Sequence, residues 1–140
     1  LLPMWLFRKQ KSINELAEEG NALFEKGNYN KAIAVWTEAL KAIDAPLNTK
    51  SEAVWFQTSI GDALFMMGKY GEAYEYLFNA KSNLSGDGYE NPFTMLRLGQ
   101  CAYELGKEDA KEYLLRAYLL AGNDIFEDGK KYFEVIKDLI

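Results

Sequence analysis

Histidine is absent from this 140-residue chain, cysteine occurs once and proline three times. Without histidine, the commonest general base, the usual activator of a nucleophile and the commonest metal ligand are all missing. A lone cysteine cannot build a zinc site or a disulfide within the chain, and no acidic stretch has the spacing of a calcium loop. Cys101 lies where a helix would pack against its partner, so a buried, inert thiol is expected, consistent with a reducing, cytoplasmic setting. No glycine cluster follows a strand pattern in the spacing of a phosphate-binding or dinucleotide-binding loop. No apolar run has the length of a membrane span. Carboxylate pairs such as Glu18-Glu19 and Glu108-Asp109 read as solvated helix surface. The chain is therefore expected to be no enzyme, to need no metal or cofactor, and to make no stable membrane insertion.

What is present is core material and negative charge. Apolar residues make up 49% of the chain and charged residues 26%, with a net charge of −5. That is enough for a packed single domain and unlike a disordered chain. The acidic balance argues against nucleic acid or anionic lipid as a partner. A short cationic cluster, Arg8, Lys9 and Lys11, is too small and too terminal to change that reading.

The stretch from Gly20 to Leu40, GNALFEKGNYNKAIAVWTEAL, contains two helical patterns joined by a turn. Gly20, Ala32 and Ala39 are small where two antiparallel helices must approach. Gly27 suits a left-handed turn between them. Tyr29, Ile33 and Trp36, three or four residues apart, fill one side. The spacing recurs from Gly61, with Gly68, Tyr70, Ala73, Leu77 and Ala80 at matching offsets. It recurs again from Gly99, where Gly106 keeps its place and Ala110, Leu114 and Ala117 arrive one position early. Gly20 to Gly61 is 41 residues and Gly61 to Gly99 is 38, with the surplus in connectors around Ala45–Lys50 and Ser85–Asn91.

This pattern resembles the tetratricopeptide repeat, whose usual period is about 34 residues. The resemblance covers roughly residues 13–122. It implies an all-α solenoid, a superhelix of three helical hairpins plus a C-terminal capping helix, with repeats near 13–46, 54–85 and 92–122. Residues 123–140 then form the cap and 12–140 a single domain. In chain order, Ser12 with Glu15 makes a capping box that opens the first helix. Thr49 with Glu52 is read as a second, and Asn91-Pro92 as an N-cap with proline in the first turn. The third pair's second helix is expected from Lys107. Residues 1–11, LLPMWLFRKQK, form a tail that either covers the edge of the first repeat or docks on a membrane surface or partner. Met4 is a candidate natural start, which would make Leu1–Pro3 an addition.

In the family, the first helix of each pair lines the binding groove. Carried over by position, the partner-binding set is Asn14, Asn21 and Phe24; then Trp55, Ser59, Asp62 and Met66; then Phe93, Arg97, Gln100 and Tyr103. Aromatic anchors beside hydrogen-bonding groups suit a protein or peptide partner, so a non-catalytic interaction module is expected. Members that grip the C-terminal carboxylate of chaperone tails use a Lys-Asn-Asn-Lys-Arg clamp. Here those positions hold Ala17, Asn21, Ser59, Phe93 and Arg97, and the loss of both lysines argues against that role. The third repeat and tail also look like small stand-alone bacterial repeat proteins, some of which neutralise secreted toxins. That resemblance implies an immunity protein with a basic partner as one alternative; a self-assembling scaffold is the other. Oligomeric state is left open.

Overall fold

Three hairpins follow one another, each built from the same local instructions. The computed structural model describes residues 10–140; the expectations for Met4 and the Trp5–Phe7 segment lie outside them. Ser12 opens α1 (Ile13–Glu25): its Oγ accepts the Glu15 N–H at 3.1 Å, and the Glu15 carboxylate accepts the Ser12 N–H at 3.1 Å. Such a cap contributes about 1 kcal/mol. The helix stops at Gly27, where φ is 78°. There the Gly27 N–H reaches the Phe24 carbonyl and the Asn28 N–H reaches back to Leu23, both at 2.9 Å. This double closure satisfies carbonyls a helix end otherwise leaves open. Gly68 and Gly106 repeat the device, with φ 74° and 70°.

The turns lead into α2 (Tyr29–Ala42), α4 (Tyr70–Ser82) and α6 (Ala110–Ala121) from α1, α3 (Ser51–Met66) and α5 (Pro92–Glu104) respectively. Close approach within each hairpin is set by one glycine. A Cβ on Gly20 would lie 2.0 Å from the Trp36 indole, one on Gly61 2.5 Å from Leu77, and one on Gly99 2.7 Å from Leu114. Trp36, Leu77 and Leu114 are almost wholly buried as a result. The central helix, α3, packs against α2, α4 and α5 together. It therefore buries residues all round, from Ala53 and Val54 to Ala63 and Leu64, rather than along one stripe.

Helices α3 and α5 touch directly, and their buried Thr58 and Thr94 hydroxyls share a hydrogen bond of 2.9 Å. On the opposite layer, α4 and α6 communicate through long side chains, such as the Lys81 ammonium over the Tyr113 ring at 5.5 Å. Helices α1, α3 and α5, which the family resemblance sets on the groove, make the inner layer, and α2, α4 and α6 the outer one. After α6, a 3₁₀ turn (Asn123–Phe126) and α7 (Lys130–Ile136) close the far end, burying Phe126, Tyr132 and Ile136 against the last hairpin. The chain is an all-α solenoid of three helical hairpins with a terminal helix.

Two local expectations give way. Thr49 does not cap α3: its hydroxyl donates to the Pro46 carbonyl at 3.1 Å, and Lys50 takes the cap position with no side-chain bond. The cause is long-range. Buried Asn83, at the end of α4, donates to the Leu47 and Lys50 carbonyls at 3.0 Å each and fixes the connector in another shape. Likewise α6 begins at Ala110 rather than Lys107. The residue missing from the third repeat is absorbed as a turn, and Asp109 accepts a bond from the Tyr74 hydroxyl at 2.6 Å.

Candidate functional site

Trp55 forms the ridge of the inner layer. The residue is 42% exposed, yet its ring is held edge-on by buried Trp36 at 5.8 Å and by Phe56 at 5.1 Å between centroids. A ring braced in this way offers apolar area with little freedom left to lose on binding. On one side of it lies a hollow of about 320 Å³ bounded by Ile13, Asn14, Ala17, Glu52 and Phe56. On the other lies a hollow of about 380 Å³, walled by Trp55 and Phe93, with Thr58, Ser59, Asp62, Asp87 and Asn91 around it.

Phe93 is placed by the helix cap beneath it. The Asn91 Oδ1 accepts the Phe93 N–H at 2.9 Å and the Thr94 N–H at 3.0 Å, with Pro92 in the first turn. This fixes the start of α5 and leaves the ring 36% exposed. One turn on, Arg97 ties α5 to α3. Its Nε donates to Asp62 Oδ1 at 2.8 Å and another guanidinium nitrogen to Gln100 Oε1 at 2.6 Å. The guanidinium also lies 4.2 Å from the Phe65 ring centroid and 5.2 Å from that of Phe93. Burial pushes the Asp62 carboxyl up from its ordinary value, and the Arg97 charge opposes that rise. Arg97 is thus a fastening between repeats, with its charge answered inside the protein.

Of the residues singled out in the sequence, Trp55, Ser59, Asp62 and Phe93 come together on the larger hollow, and Asn14 on the smaller. Met66 is exposed beside them, its sulfur 3.9 Å from the Arg97 guanidinium. Asn21 is exposed on α1 and lines neither hollow. Phe24 is half-buried, turned edge-on to Tyr29 at 5.1 Å. Gln100 departs from the expected groove-facing amide: it is only 4% exposed, because the tail passes over it and a Cβ on Gly129 would lie 3.3 Å from its Nε2. Tyr103 keeps an exposed face, but its ring meets Tyr132 of α7 at 5.6 Å, so the tail borders that end of the surface. Asp87, Asn91 and Glu52 also line the hollows, and sequence reasoning left them out. The loop character of Ser85–Gly88 is plain in the sequence; where the loop comes to rest depends on Gly88, whose missing Cβ leaves room for the Ala80 carbonyl.

Cys101 is fully buried, and burial pushes its thiol up to about 12. Among the described residues no cluster of Cys, Asp and Glu has the arrangement of a metal site, and no helix is long and apolar enough to cross a membrane.

No protein-family model and no curated protein matches this sequence. In three dimensions the chain is similar to the first TPR domain of Spaghetti (RPAP3) bound to the HSP90 peptide SRMEEVD. The identity is 25% and the TM-score 0.72, over 91% of this chain and 95% of that one. It is also similar to the Sgt2 TPR domain of Aspergillus fumigatus, at 24% identity and TM-score 0.69, over 90% of this chain and 77% of that one. The Yersinia enterocolitica type III secretion chaperone SycD, solved with a peptide of the translocator YopD, aligns at 16% identity and TM-score 0.69, over 90% of each chain.

Proposed function

We propose that this chain, which has the fold of tetratricopeptide-repeat domains, binds a partner polypeptide on its inner layer, without catalysis, in the cytoplasm. The observation that carries this reading is the pair of braced, exposed rings, Trp55 and Phe93, facing one hollow with hydrogen-bonding groups around it. Aromatic anchors supply area, and the polar groups fix the register of whatever lies there. The Spaghetti domain and SycD hold peptides on the same fold. The ligand differs in kind from SRMEEVD, since Ala17, Ser59 and Phe93 stand where a carboxylate clamp needs Lys, Asn and Lys.

A second reading, neutralisation of one basic secreted toxin, draws support from the net charge of −5. It adds nanomolar affinity and association that slows steeply with salt. Capture from the native host tests both. The wild-type chain retains a partner that the Trp55→Ala, Phe93→Ala double variant loses, while far-UV circular dichroism of the variant keeps its helical signal. A folded double variant that retains the same partner contradicts the proposal.

A further inference from the structure

The larger hollow has a chemical preference that its fold alone does not dictate. Its two aromatic walls, Trp55 from α3 and Phe93 from the first turn of α5, present rings to the same space. Its polar lining holds the Asp62 and Asp87 carboxylates, the Ser51, Thr58 and Ser59 hydroxyls and the Asn91 amide, whose oxygen is already engaged in the α5 cap. Asp87 is exposed and forms no ion pair or side-chain hydrogen bond among the described residues. Arg97, which reaches Asp62 on the wall, is held by Asp62, Gln100 and the Phe65 ring, so its charge is already engaged. Across Trp55, the smaller hollow adds Glu52, a carboxylate with no ion pair among the described residues, beside apolar Ile13, Ala17 and Phe56.

We infer that the hollow between Trp55 and Phe93 receives an arginine or lysine side chain of the bound segment, with an apolar neighbour of that residue seated across Trp55. This rests on the reading of the inner layer as the binding surface. A cation there lies between the Trp55 and Phe93 walls, where a ring face attracts it, and meets the Asp87 carboxylate, while its alkyl stem covers apolar wall. An acidic side chain would meet the Asp87 carboxylate, and among the described residues no Lys or Arg lines the hollow. The complementarity thus runs opposite to that of a domain built for an acidic tail such as SRMEEVD.

The test uses the full chain. Random peptides displayed on phage are selected on the wild type and counter-selected on the Trp55→Ala, Phe93→Ala variant, then synthesised and titrated by fluorescence anisotropy. The expected result is an enriched Arg or Lys at one position beside an apolar residue. Replacing that residue with Gln weakens binding about tenfold. Asp87→Asn, at a side chain with no ion pair or hydrogen bond among the described residues, weakens the basic peptide by a similar factor and leaves its Gln counterpart unchanged. Peptides that depend on Trp55 and Phe93 yet show no basic position, or an acidic one, overturn this inference and leave the inner-layer reading standing. A selection that yields no peptide dependent on the two rings overturns both.

Discussion

Gly20 and Gly71 show how the same substitution changes sign with its surroundings. At Gly20 an added methyl runs into the Trp36 indole, which is itself packed and nearly inaccessible. Gly20→Ala is expected to cost about 1–3 kcal/mol by overpacking. Gly71 sits in the first turn of α4 with nothing within reach of a Cβ. Gly71→Ala is expected to stabilise by about 0.4–1 kcal/mol, through lost freedom of the unfolded chain. Urea unfolding of the two variants measures both, and equal shifts of one sign would contradict the packing described. Cys101 supplies a second check. Its thiol, fully buried and raised to about 12, is expected to stay unmodified by a thiol reagent in the native protein and to react on unfolding. Rapid native-state labelling would mean that the third hairpin opens.

At the scale of elements, α7 is held by a small polar latch. The Tyr132 hydroxyl donates to Glu104 Oε1 at 2.8 Å, and the Lys131 ammonium pairs with the same oxygen at 2.7 Å. The bond from Lys131, then that from Tyr132, holds the Glu104 carboxyl below its ordinary 4.5. A depressed folded-state value means the stabilisation is full above the unfolded value and fades as pH falls through the folded one. The gap in Tm between wild type and Glu104→Gln is therefore expected to be open at neutral pH and to close as pH falls below 4.5. Asp62 shifts in the opposite direction, so the difference between the two proteins, rather than either curve alone, isolates Glu104. A gap that persists unchanged in acid would remove the latch.

Elements also show what the sequence could and could not reveal. Ser12 with Glu15, Asn91 with Pro92, and Gly27, Gly68 and Gly106 act on neighbours within a few residues, and each is legible from spacing alone. Thr49 has the right local chemistry for a cap but loses to Asn83, 34 residues away, which claims the carbonyls of the same connector. The groove shows the same divide. Trp55 and Phe93 are reached through the family resemblance, which sets the first helix of each pair on the groove, and both are partly exposed on one hollow. Asp87 is not, because its loop is carried there by the return of the chain over Ala80, and Gln100 misleads because the tail covers it.

For the whole molecule, the proposed binding surface lies on the layer of α1, α3 and α5, with α2, α4 and α6 packed behind it. The outer layer is not short of apolar groups: Leu119 on α6 is 70% exposed. Exposure alone therefore does not pick out the inner layer; the proposal rests on Trp55 and Phe93 lining one hollow together. A photoreactive side chain at Ser59, on the larger hollow, compared with one at Leu119, on the outer layer, tests this choice with the partner recovered from the host. The account predicts that the partner cross-links from position 59 and not from position 119. Cross-linking from 119 with none from 59 would contradict it.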